Sequence, residues 1–172
     1  LRAQGGVGHG FQIWLNLPAA EKFCTPETVI HNSEALPVIE TDAHQIKVLI
    51  GSLFGQHSPT ATYSPAFYYH IKMQPEARLD IPVTSGHNAF IYVVHGEVEL
   101  EGRHAVQDEQ MALYEREGDE LRYYSRNGCE FLLLGGQPLN EPVVSYGPFV
   151  MNTQDQINQC FQHYRAGRMG EL

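Results

Sequence analysis

From residue 44 to residue 136 the chain runs in short stretches of alternating apolar and polar residues, punctuated by glycine and asparagine. In 44–55, Ile46, Val48 and Ile50 share one face before a glycine break. In 66–82, Phe67, Tyr69, Ile71 and Met73 fall on one side, and Tyr68, His70 and Lys72 on the other. That two-residue period predicts half-buried strands. The stretch GHNAFIYVVHGEVELEG (86–102) reads as two strands with a tight turn at His95-Gly96. Residues 110–136 predict three more strands, separated at Glu117-Gly118-Asp119 and at Arg126-Asn127-Gly128. Asn-Gly is a strong hairpin signal because both residues tolerate positive φ. Many short strands at this spacing predict an all-β sandwich or barrel.

The flanks behave differently. FQIWLNLP (11–18) is strand-like and stops at Pro18, 19–40 reads as an irregular connector, and 56–65 as an exposed loop. At the other end, Ile157, Cys160, Phe161 and Tyr164 recur at helical spacing, which predicts a helix within 152–167. Thr153 and Gln156 fit a capping box, and Gly167 fits the stop.

Composition narrows the classes. With 42% apolar residues the chain can bury a core. No apolar run approaches a membrane-spanning length, and the opening LRAQGGVGHG lacks the apolar centre of a secretory signal. A net charge of −9 disfavours direct contact with nucleic acid. Cys24, Cys129 and Cys160 form no CxxC pair, so zinc spacing is absent and buried thiols in a cytoplasmic protein are expected.

Nine histidines make metal binding worth testing. A metal needs three or four converging ligands. His87, His95 and His104 are eight and nine residues apart, and His87 and His95 are expected at opposite ends of one strand. At roughly 3.3 Å per residue that separation is far too long for shared coordination. No G-x-S-x-G elbow is present, and GGVGHG (5–10) fits neither phosphate-binding glycine pattern and reads as a loop. Glu115, Glu117, Asp119 and Glu120 read as a solvated turn, and Cys129 as packing.

The segments HGFQIWLNLP (9–18), 86–102, YEREGDE (114–120) and FLLLGGQPLNEPVVSYGPFVMNT (131–153), with the terminal helix, resemble the pirins, a family of two-cupin proteins. The resemblance implies a cupin double-stranded β-helix, a jelly-roll barrel, with a C-terminal helix. Placing the last glycine of the first cupin motif on Gly96 puts its glutamate at Ala89 and its histidines near Pro82 or Val83 and Thr84 or Ser85. Placing the second motif on Gly118 puts its histidine at Leu121. Four ligand positions thus carry non-ligands, and no metal, catalytic or cofactor-binding residue is expected in this chain. In pirins Fe(II) belongs to the N-terminal cupin, held by three histidines and a glutamate. His9 matches a family histidine that is not a ligand.

The resemblance further implies residues 1–35 as a remnant strand and connector of the N-terminal cupin, 36–150 as the C-terminal-type cupin, and 151–172 as helix and tail. The expected role is a metal-free structural or protein-interaction module lacking the iron cupin. The alternatives are a fragment of an iron-dependent quercetin 2,3-dioxygenase, or a redox-linked transcriptional co-regulator acting through a protein. Expected partners are a second copy, the missing cupin or another protein, with neither nucleic acid nor membrane.

Overall fold

A computed structural model describes residues 5, 10–102 and 104–169. The chain divides into two compact units, one of residues 25–140 and one joining 1–24 to 141–172. The contact boundaries therefore differ from the expected 35/36 and 150/151. Residues 25–35 go with the barrel strands, and 141–150 go with the helix.

The larger unit is a curled antiparallel sheet. Its strands in chain order are β1 (Val38–Glu40), β2 (His44–Ile50), β3 (Ser52–Leu53), β4 (Gln56–His57), β5 (Ala66–Met73), β6 (Ala77–Pro82), β7 (Asn88–Leu100), β8 (His104–Gln107), β9 (Met111–Leu113), β10 (Glu120–Ser125) and β11 (Cys129–Gly136). The main sheet runs β1-β2-β5-β11-β7-β10-β6, with β8 and β9 also paired to β7. β3 and β4 form a small hairpin, so the expected loop 56–65 begins as a strand.

The expected turn at His95-Gly96 is absent, and β7 runs through it for 13 residues. A bulge supplies the bend instead. Opposite Glu130-Phe131 of β11 the pairing skips from His95 to Val93, and Gly96 takes φ +83°. A side chain at Gly96 would lie 2.6 Å from the Gly128 carbonyl oxygen, so glycine is required there. The chain reverses later, where Glu101 and Gly102 both adopt positive φ. Before the bulge β7 pairs with β11 and β9; β11 continues past it to His95 and Gly96, and beyond them β7 pairs with β8 and β10. One strand thus serves both walls of the jelly roll.

Alternation fills the interior. Ile46 and Val48 of β2, Tyr69, Ile71 and Met73 of β5, Leu79 and Ile81 of β6, Ile91 and Val93 of β7, and Phe131 and Leu133 of β11 form one buried core. Tyr69 donates its hydroxyl to the Ser52 carbonyl at 2.6 Å. Cys129 is also buried.

In the smaller unit, β12 (Val144–Tyr146) and β13 (Phe149–Met151) form a hairpin around Gly147-Pro148. Gly147 supplies the positive φ, +56°, that a two-residue hairpin turn favours at its first central position. Helix α1 (Gln154–Arg165) follows, and its Thr153/Gln156 capping box is formed. Ile157 and Cys160 bury against Met151, with Val144, Phe149 and Phe161 around them. Tyr164, expected on that face, is 66% exposed. Residues 11–18 do not form a regular strand, and Cys24 is only half-buried. His9 and most of GGVGHG lie outside the described residues.

Candidate functional site

The cupin metal positions converge in space, although their side chains cannot serve as ligands. Leu121 of β10 stands opposite Ile81 of β6. The loop after β6 is laced to the loop before β10: the Val83 amide donates to the Asp119 carbonyl at 2.9 Å, and the Gly86 amide to the Arg116 carbonyl at 2.9 Å. The Tyr114 amide donates to the Ala89 carbonyl at 3.0 Å, tying the end of β9 to the start of β7. Residues 82–85, Ala89 and Leu121 are therefore gathered at the ends of β6, β7 and β10.

Apolar packing occupies this place. Ala89 and Leu121 are buried in the core, and Val83 packs against it half-buried. Carbon side chains offer no lone pairs, so these residues do not fit iron or zinc. Two phenols, Tyr114 and Tyr123, belong to the same core. Their hydroxyls are buried and interact with each other. Burial pushes the Tyr114 hydroxyl up to about 12 and the Tyr123 hydroxyl well above its usual value, and each phenol also feels the other. Both stay protonated at neutral pH, in the form that binds metals poorly.

The histidines are scattered. His87 precedes β7, His95 is exposed at the bulge, and His104 opens β8 opposite Leu100. His70 bonds Glu130 at 2.6 Å across β5 and β11, with Lys72 3.6 Å from the same carboxylate. Among the described residues, no three His, Cys, Asp or Glu side chains are grouped to hold a metal ion. Glu115, Glu117, Asp119 and Glu120 are exposed around their turn. Among the described residues, no helix is long and apolar enough to cross a membrane.

A second feature lies in the smaller unit, at the segment expected as a remnant strand. Ile13, Trp14, Leu15 and Leu17 line a groove of about 580 Å³ together with Phe149 and neighbouring hairpin residues. Lys22 sits in it, donating to the Val150 carbonyl at 3.1 Å and to the Asn16 side-chain oxygen. Burial lowers the Lys22 ammonium's pKa, and Glu141 partly offsets that. The ammonium holds an extended segment in place without strand pairing.

Comparison with known proteins agrees with this architecture. Residues 68–170 match the family model of the pirin C-terminal cupin domain. A pirin-like protein of Solanum lycopersicum is 34% identical over 170 residues, covering 96% of this chain and 58% of that protein. Pirin of Homo sapiens is 32% identical over 94% of this chain and 57% of its own length. The chain thus spans somewhat more than half the length of these relatives. A crystal structure of quercetin 2,3-dioxygenase from Acinetobacter baumannii superposes with a TM-score of 0.86 at 28% identity, over 92% of this chain and 56% of that one. With a barrel of this topology, this family match and these relatives, the chain belongs to the pirin family.

Proposed function

We propose that this cupin is a metal-free module with a structural or protein-binding role. The observation that carries the reading is the apolar filling of the ligand positions by Val83, Ala89 and Leu121. A jelly roll whose ligand corner is packed with carbon offers neither an open coordination position nor a metal-activated water. Its value to the cell then lies in its surfaces. Elemental analysis of the purified 172-residue chain tests this: less than about a tenth of a metal equivalent per chain is expected, against the full equivalent a three- or four-ligand site retains. About one iron, nickel or zinc per chain overturns the proposal.

A second reading rests on the likeness to the Acinetobacter quercetin 2,3-dioxygenase, of which this chain matches 56%. Here the chain is the metal-free part of a longer iron-dependent quercetin 2,3-dioxygenase, and ring cleavage takes place in another cupin. The 172-residue chain then consumes no oxygen with quercetin, whereas the natural protein does. An intact mass well above 19.4 kDa together with chelator-sensitive oxygen uptake favours this reading. A natural protein of this length without turnover removes it.

A further inference from the structure

Seven asparagines lie along the chain, and one stands apart. Asn16 accepts a bond from Lys22, and Asn88 accepts from Arg116 at 2.8 Å. Asn152 is buried and donates to the Glu141 carboxylate and the Pro142 carbonyl. Asn158 is held inside α1. Asn32 and Asn140 precede Ser33 and Glu141, whose side chains crowd the next amide. Asn127 is exposed, and its side chain makes no hydrogen bond among the described residues. It precedes Gly128, whose amide donates to no acceptor among the described residues. Both residues lie outside every ladder, because β10 ends at Ser125 and β11 begins at Cys129. β10 pairs with β6 and β7 while β11 pairs with β5 and β7, so 126–128 cross from one wall to the other.

We propose that Asn127-Gly128 is a self-modifying site, at which the Gly128 amide nitrogen attacks the Asn127 side chain and asparagine becomes isoaspartate. The bond that forms joins the Gly128 nitrogen to Asn127 Cγ. The bond that breaks joins Cγ to the side-chain nitrogen, which leaves as ammonia with the proton that Gly128 gives up. Water then opens the cyclic imide. Opening at Cγ leaves aspartate, and opening at the main-chain carbonyl leaves Gly128 linked through the former side chain, as isoaspartate. The net change is asparagine and water to acid and ammonia. The chain itself supplies proximity, so what the fold controls is access. Gly128 puts no side chain beside its nitrogen, and packing requires that glycine. Its φ is +87°, and an added Cβ would lie 3.3 Å from the Met73 carbonyl oxygen. The product then meets a connection anchored at both ends. The Glu76 amide donates to the Arg126 carbonyl at 3.2 Å, and Cys129 stands opposite Met73 on β5 and Gly96 at the bulge. Isoaspartate adds one main-chain atom between these anchors. The strain falls on the bend of β7, where the Gly128 carbonyl oxygen already excludes a Cβ from Gly96.

The test ages the folded 172-residue chain, digests it and follows each asparagine by mass spectrometry. Isoaspartate is read separately, as methyl groups accepted from S-adenosylmethionine through an isoaspartyl carboxyl methyltransferase. Expected is conversion at Asn127 at least about tenfold faster than at any other asparagine. The rate should rise from about pH 6 to about pH 8, because the attacking amide must first lose its proton. Asn127→Ser should abolish methyl acceptance, with circular dichroism confirming that the variant folds. Aged chain rich in isoaspartate should melt below the Asn127→Asp variant, which carries the same added charge on an unaltered main chain. No conversion at Asn127, or conversion no faster than at Asn32 and Asn140, overturns the proposal. So does conversion to aspartate without methyl acceptance, or methyl acceptance that survives Asn127→Ser. Aged chain that melts with Asn127→Asp overturns the strain assigned to the bend of β7. None of these outcomes touches the metal-free reading, which elemental analysis decides alone.

Discussion

Gly135 is the residue at which the barrel tolerates least. A Cβ there would lie 2.2 Å from the Asn88 carbonyl oxygen and 2.2 Å from the Phe67 ring, which stacks on Tyr69. The ring can turn aside but the carbonyl belongs to a paired strand, so Gly135→Ala should destabilise by about 2–3 kcal/mol in denaturant melts. Phe67→Leu in the same chain should recover only part of the loss. Tyr123 shares its burial with Tyr114. The two hydroxyls interact, so Tyr123→Phe leaves the Tyr114 hydroxyl buried alone and should destabilise by about 1 kcal/mol in denaturant melts. The sequence made the vacated ligand positions legible, since Ala89 and Leu121 can be counted from Gly96 and Gly118. It did not show that carbon fills the space around them, because burial of Val83 and the two phenols depends on three strands meeting.

Among the elements, the most legible was α1, whose cap and period are local. Its capping box satisfies amide groups that the helix itself cannot: the Gln156 amide donates to the Thr153 hydroxyl at 3.2 Å, and the Gln156 side chain accepts from the amides of Thr153 and Asn152. Thr153→Ala should therefore cost about 1 kcal/mol, read as a lower melting temperature. Tyr164 was misplaced on the packed face because period alone cannot say how wide a stripe the small hairpin covers. Elements that depend on distant partners were harder to read. FQIWLNLP has the composition of a strand, yet a strand needs a ladder partner, and 11–18 take no strand assignment among the described residues. His95-Gly96 has the chemistry of a turn, but the same positive φ also serves a bulge. What decides between them is the register with β11, more than thirty residues away.

At the scale of the whole molecule, buried phenols make stability depend on pH. Burial pushes Tyr69 and Tyr114 up to about 12, and Tyr123 shifts in the same direction. A group whose folded value is raised holds its proton longer in the folded state, so its contribution is fully present below pH 10 and is lost between about 10 and 12. Melts from pH 8 to pH 11.5 should show a steep alkaline decline, of the order of 2 kcal/mol per tyrosine by its end. Tyr114→Phe should make that decline shallower. A flat profile through pH 11 would mean the phenols reach solvent.

The bent strand β7 also carries a consequence for how the chain is made. Each of its partners, β8, β9, β10 and β11, lies later in the sequence. As the polypeptide leaves the ribosome, nothing already synthesised can pair with those 13 residues. β8 is the first to arrive, closing a local hairpin beyond the bulge, while the half containing Ala89, Ile91 and Val93 waits for β9 and then for β11. For about 40 residues of elongation, a few seconds at ordinary rates, an apolar strand edge stands open to neighbouring nascent chains. The wall that later joins both halves of the jelly roll is, during synthesis, a segment in need of protection from its neighbours.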